Sequence, residues 1–179
     1  MNPRYTMPLL RQLPRDSDRP LWRRLLWFRE PVVYELAEPY GITVKCPDGQ
    51  WHRLVLPSGF RTDLASTPRI TWLFGFRPDG LFAVPGLYHD WYYRHGTVES
   101  RVAVEYERCR WTAPVGDGTR RWGDLLFRRL VFQIGGLWFP AWAGYLALRA
   151  FGWIAWRHNA RYRAAAAKGE RQLKGDYDD

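Results

Sequence analysis

ITVKCPDGQWHRLVLP, residues 42–57, decides the first half of the fold. ITVKC (42–46) is a short strand-like run. HRLVLP (52–57) repeats the strand character. Between the two runs, Pro47-Asp48-Gly49-Gln50 carries an Asp-Gly pair, a good signal for a tight hairpin turn. Upstream, VVYEL (32–36) is a third strand-like run, so a small antiparallel sheet comes first in the chain.

After residue 67 the pattern turns helical. Thr67-Pro68 reads as a helix start, with a hydroxyl N-cap followed by proline at the first helical position. A helix is expected near 81–94, with Pro85 setting its beginning. Residues 98–111 read as an amphipathic helix, with Val98, Val102, Tyr106 and Cys109 on one stripe. PVGDG (114–118) is a loop, and further helices are expected over 120–134 and 138–156. The fold class is α+β: a small N-terminal antiparallel sheet followed by a helical bundle packed against it. Residues 1–30, with Pro3, Pro8, Pro14 and Pro20, form a basic Pro/Arg-rich arm. Residues 31–157 form a single domain, and 158–179 a polar tail.

The 179 residues are enough to bury a real core, and 46% hydrophobic residues exclude a disordered chain. The formal charge of +9 favours polyanionic partners such as nucleic acid, anionic lipid or a cell-wall polymer. Only Lys45, Lys168 and Lys174 are lysines; the arginine excess fits a GC-rich genome as readily as phosphate binding. Cys46 and Cys109 show neither CxxC nor Cys/His spacing, which fits a reducing compartment. The N-terminus lacks an apolar core and a small-residue cleavage site, so no signal peptide is expected. Within the arm, LWRRLLWF (21–28) forms a short basic amphipathic helix on this reading; docking on its own domain is favoured over contact with a membrane or partner. Residues 131–156 are long enough to span a bilayer, but Gln133, Pro140 and Arg149 interrupt them. A buried or interface helix is expected there, with Arg149 lying against the rings of Trp138, Trp142, Tyr145, Trp153 and Trp156 as a cation–π partner. Peripheral membrane contact stays open.

Chemistry concentrates in FRTDLASTPR (60–69), LYHDWYY (87–93) and Asp124 of WGDLLF. Asp63 either closes a turn at the sheet–helix junction, with Thr67 capping the helix, or points a carboxylate into a cleft with Arg69 nearby to hold an anion. His89 and Asp90 are helix neighbours whose side chains diverge by about 100 degrees, so they do not form a dyad with each other. His89 is a satisfied core histidine or a base; Asp90 pairs with Arg94 or binds a ligand. Asp124 shares a face with Phe127 and Val131 and is therefore at least partly buried, which demands a partner. Arg128 one turn on and His89 from a facing helix are the two candidates. His52, His95 and His158 carry no assigned role.

The order of these strings resembles domain of unknown function 1353, a family of tailed phages and prophages, over roughly residues 31–157. The resemblance rests on TD-AS-PR followed by HD-x-x-Y, a later Gly-Asp step and a closing helix with a glycine after an arginine (LALRAFGWIAW). It marks Thr62, Asp63, Ala65, Ser66, Pro68, Arg69, His89, Asp90, Tyr92 or Tyr93, and Asp124 as the site, and implies a phage or prophage origin without a reaction. The basic arm, the tail and the loop at 112–119 are additions to the family's compact form. The His-Asp neighbours are also similar to those of secreted phospholipases A2. There the His activates water, the adjacent Asp binds calcium and a second Asp from an antiparallel helix orients the His. By that analogy His89 and Asp124 are catalytic, Asp63 and Asp90 hold a divalent metal ion, calcium or zinc, and Arg69, Tyr92 and Tyr93 line the site. The Gly-rich calcium loop and the disulfides of those enzymes have no counterpart here.

Three functions follow from these readings. The first is a metal-assisted hydrolase acting on host envelope material, lipid or peptidoglycan. The second is a non-enzymatic virion or tail-assembly component whose His/Asp cluster is a structural network. It would bind other phage proteins or a second copy through residues 1–30 and the 138–156 helix. The third, a nucleic-acid accessory protein, is weakest: no recognition module is visible and the arginines are dispersed, so sequence-specific binding is not expected. Synthesis in the host cytoplasm, with later association with the virion, is the expected location.

Overall fold

A computed structural model describes residues 7–13, 33–62, 80–101, 114–135 and 137–167. Among these, the order is β1 (Leu10–Gln12), β2 (Tyr34–Leu36), β3 (Tyr40–Lys45), β4 (Trp51–Leu56), β5 (Arg61–Thr62), α1 (Ala83–His95), β6 (Glu99–Arg101), α2 (Arg120–Gly135), α3 (Trp138–His158) and α4 (Ala160–Ala167). The fold is α+β: β1 to β5 precede α1, and β6 lies between α1 and α2.

Two three-stranded antiparallel sheets share the work expected of one, in the orders β1-β2-β5 and β3-β4-β6. The β3–β4 hairpin forms as its turn residues dictate. Gly49 N donates to the Cys46 carbonyl, and Gln50 N donates to the Asp48 carboxylate at 2.9 Å. Its register pairs Ile42 with Leu54 and Val44 with His52, so Ile42, Val44, Leu54 and Leu56 face inward. One sheet extends into the N-terminal arm. Residues 10–12 of the Pro/Arg-rich arm pair with β2.

Residues 99–101 differ from expectation. They are strand, not helix, because Glu99, Ser100 and Arg101 pair with Val55, Leu54 and Arg53. A ladder partner for β4 outweighs a weak 3.6-residue periodicity. The expected helix start at Thr67-Pro68, residues 102–111 and the 21–28 segment lie outside the described residues. The polar tail opens as helix α4, anchored by Arg163, which donates to the Tyr93 carbonyl at 2.7 Å and covers the Trp156 ring.

The centre of the molecule is α1. It buries ten of its thirteen residues, a helix apolar nearly all round and accordingly enclosed on all sides. Leu87, Tyr88 and Trp91 pack on the sheets, while Tyr92 stacks on Trp122 of α2. Tyr88 also fastens α1 to the hairpin, its hydroxyl donating to the carbonyls of Leu54 at 3.1 Å and Tyr40 at 3.2 Å. On the other side α2 covers the outer edge of β3: Gln133 donates to the Thr43 carbonyl at 2.7 Å, and Arg129 donates to the carbonyls of Lys45 and Cys46. An edge strand closed in this way is blocked from pairing with another chain. Gln133, which breaks the apolar run in the sequence, thus has a structural task.

Tyr88→Phe keeps the ring and removes the donor to two buried carbonyls. It is expected to lower unfolding free energy by about 1–3 kcal/mol in chemical denaturation. An unchanged midpoint would show that the hydroxyl does not hold α1 to the hairpin.

Candidate functional site

One carboxylate organises the helical half. Asp124, in the second turn of α2, is 0% exposed. His89 Nε2 lies 3.4 Å from its Oδ1, and the Tyr93 hydroxyl donates to the same oxygen at 2.5 Å. His89 and Tyr93 are one turn apart on α1, so both aim the same way, and their rings sit 3.9 Å apart. Arg149 of α3 donates to Oδ2 at 3.0 Å, and Arg120 stands 3.7 Å from it. Three helices therefore meet on one side chain.

The electrostatics follow from that crowding. Burial alone pushes the Asp124 carboxyl up. The hydrogen bonds from His89 and Tyr93, the charge on His89 and the Arg149 bond outweigh it and hold the group below its ordinary value. Tyr93 moves the other way: burial, then the neighbouring carboxylate, drives its phenol well above the ordinary range, so it stays a neutral donor. An ionised carboxylate only accepts. In a neutral His89 the Nε2 therefore carries the proton, leaving the lone pair on Nδ1. Phe127 closes the ring from its other side, edge-on at 5.6 Å.

Two glycines let the helices approach. A Cβ on Gly152 would stand 2.6 Å from the Tyr93 hydroxyl, and one on Gly123 would stand 2.5 Å from the Tyr92 ring. The Gly-Asp step and the glycine after Arg149 are thus the points where α2 and α3 close on α1.

The expected site residues separate into groups. His89 and Asp124 meet, and Tyr93 joins them. Tyr92 does not: it stacks on Trp122 and donates to Asp117 at 3.4 Å. Asp90 faces β5, where the Thr62 hydroxyl donates to its Oδ2 at 2.5 Å; beside it Arg94 donates to the Arg61 carbonyl at 2.8 Å. Asp63 and Arg69 lie outside the described residues. Arg149 is not a cation–π partner of the α3 rings. It reaches inward to Asp124, because a buried charge attracts a guanidinium more strongly than a ring face does. Arg128 takes the ring role instead, its guanidinium 4.3 Å from the Trp142 centroid and 5.0 Å from that of Tyr145. Arg120 was missed as a partner of Asp124; it sits one turn before it, the same spacing as Arg128 one turn after, and sequence alone does not choose between them.

The family of the chain is decided by its profile. A profile of proteins of unknown function, DUF1353, matches residues 35–148. The chain belongs to the DUF1353 family. No curated protein and no solved structure matches it. The matched span of this DUF1353 protein runs from β2 through the middle of α3, so it includes His89, Tyr93, Arg120 and Asp124 and ends one residue before Arg149.

A second constellation in the DUF1353 domain was not anticipated. His52 bridges Asp48 at 2.8 Å and the Ser100 hydroxyl at 3.0 Å. Ser100 is 0% exposed and paired to Leu54, so this Asp-His-Ser row ties the hairpin turn to β6 and offers no surface to an acyl substrate. Cys46 is likewise no nucleophile: burial, then the Asp48 charge, pushes its thiol up to about 12. Among the described residues no cluster of three or more His, Cys, Asp or Glu side chains is placed to hold a metal ion.

Because its carboxyl is depressed in the folded state, Asp124 contributes stability fully above the unfolded carboxylate pKa of about 3.9 and loses it as pH falls toward the folded value. Thermal unfolding against pH is expected to show an acid limb in the parent that flattens in Asp124→Asn. Near neutral pH the variant should lose about 3–5 kcal/mol, the usual cost of breaking a buried ion pair. Identical acid limbs would mean that the Asp124 charge does not stabilise the fold.

Proposed function

We propose that this DUF1353 protein is a phage- or prophage-encoded hydrolase of host envelope material, with His89 as its general base and Asp124 as the carboxylate that orients it. The observation that carries the reading is the His89 Nε2–Asp124 Oδ1 contact inside a buried, ionised network. A general base needs a lone pair at a fixed place and a group that stabilises the imidazolium formed when it takes a proton. Asp124 meets both needs: it fixes the tautomer with the lone pair on Nδ1 and is charge-stabilised by Arg149. Tyr93 holds the carboxylate in place. The arrangement corresponds in its logic to the His, Asp and second Asp of secreted phospholipases A2, so an ester bond of a lipid is the first substrate to test and peptidoglycan the second.

A divalent metal would be held by Asp90 together with Asp63. The Asp90 carboxylate accepts from Thr62 at the end of β5, and Thr62 directly precedes Asp63 in sequence. Carboxylate and hydroxyl oxygens are hard donors, which favours calcium over zinc. A calcium held by Asp90 and Asp63 would polarise the scissile oxygen. The residues shown supply part of such a donor set, and the proton chemistry of His89 stands without it.

One observation favours a second reading. Asp124 has partners on α1, α2 and α3, so the network also serves to lock three helices, as it would in a non-enzymatic virion or assembly component.

The test is product release from phospholipid vesicles and from purified peptidoglycan, with calcium, with zinc and with chelator. Parent protein is expected to release fatty acid or soluble fragments. His89→Ala should reduce the rate on the order of a hundred- to ten-thousand-fold while the melting transition remains, since Asp124 keeps Arg149 and Tyr93. Calcium binding, measured by calorimetry, should weaken in Asp90→Asn. No product from either material, with a lowered melting transition in His89→Ala, would transfer the assignment to the structural role.

A further inference from the structure

From Trp138 to Trp156 the only charged residue is Arg149, and it is turned inward to Asp124. What remains outside is apolar. Ala141 and Gly152 mark the buried side of α3. At 100 degrees per residue, the opposite side carries Phe139, Leu146, Ala150 and Ile154, with Trp142 and Trp153 along its edge. Phe139 is 68% exposed, Leu146 59% and Ile154 58%. An uninterrupted apolar stripe of about four turns is larger than a lone soluble chain usually leaves in water.

Its ends and surroundings are basic. Arg128 lies over Trp142, and Arg157 lies 5.0 Å from the centroid of Trp153, so each cation sits on a ring of the stripe. Residues 120–167 contain eight arginines against one acidic residue, Asp124, which is sealed inside. No acidic side chain on α3 or α4 faces outward to repel an anion. Trp with Arg, and no acid, is the composition of a surface seated at the headgroup level, where indole rings are favoured and guanidinium groups meet phosphate. A partner protein or a second copy of this chain would need acidic groups opposite Arg128 and Arg157; in a second copy the corresponding stripe offers only more arginine. No helix among the described residues is long and apolar enough to cross a membrane, so the stripe fits the geometry of lying on one.

We infer that the outer face of α3 is a docking surface for an anionic lipid bilayer, with the rings in the interface and Arg128 and Arg157 at the phosphates. This goes beyond the hydrolytic reading and does not need His89 to be catalytic. It also gives that reading a means of reaching lipid, because the same helix carries Arg149, the partner of Asp124.

The full chain is to be sedimented with vesicles of phosphatidylcholine alone and of phosphatidylcholine with phosphatidylglycerol. Binding is expected to be at least about tenfold stronger to the anionic vesicles and to weaken with salt. Indole emission should shift to the blue and be quenched by brominated acyl chains. Leu146→Glu with Ile154→Glu, both at exposed positions, should reduce binding by about tenfold or more. His89→Ala should bind as the parent does, so that failure of hydrolysis and failure of docking are read separately. Three results would overturn the inference: no partition of the parent onto anionic vesicles, equal partition by the double variant, or a parent dimer that the double variant dissolves while vesicle binding is absent.

Discussion

A fully buried carboxylate cannot stay charged without partners, and that constraint arranges the helical half of this molecule. Asp124 is served by α1 through His89 and Tyr93, by its own helix through Arg120 and by α3 through Arg149. Arg120 adds a second link, donating to the carbonyls of Leu148 and Arg149 at 3.0 and 3.2 Å. Removing Arg149 would leave the carboxylate with its charge poorly balanced in a low-dielectric setting. The same ionised group that locks the helices also fixes a histidine tautomer, so stability and chemistry share one atom set.

The glycines explain why that set is compact. Gly152 lies one turn after Arg149, and Gly123 lies directly before Asp124; in each case a methyl group would collide with a tyrosine of α1. The short string HD-x-x-Y and the later Gly-Asp step are therefore two sides of one packing contact. His89 and Tyr93 project from α1, and small residues on α2 and α3 receive them. Hydrophobic burial around this point, with Phe82 stacked on Phe127 and Tyr92 on Trp122, excludes water and strengthens each polar bond within.

Much of this was legible in the sequence, and the failures have physical causes. Two strand-like runs around an Asp-Gly turn predicted the hairpin, and the apolar face of Asp124 pointed to its burial while leaving Arg128 and His89 both open as its partner. Residues 99–101 were misread because a strand's partner lies far away in the chain, at Leu54, and local periodicity does not report it. Arg149 was misassigned because helical spacing places it among aromatic residues while saying nothing of a carboxylate on another helix. Tyr93 was told from Tyr92 only by coordinates: adjacent residues point to different faces, and the sequence marked both. The tail at Ala160–Ala167 looked merely polar, yet Arg163 finds a backbone carbonyl on α1 and an aromatic ring on α3.

The central claim is that Asp124 holds Nε2 of His89 and leaves Nδ1 with the lone pair. Nitrogen-15 chemical shifts of selectively labelled histidine, followed across neutral pH, measure that directly. The account predicts that His89 populates the Nε2–H tautomer in its neutral form, with the Nε2 resonance displaced in Tyr93→Phe, which alters the hydrogen bonding at the same carboxylate oxygen. A His89 with the Nδ1–H tautomer, or one whose shifts ignore that change, would contradict it.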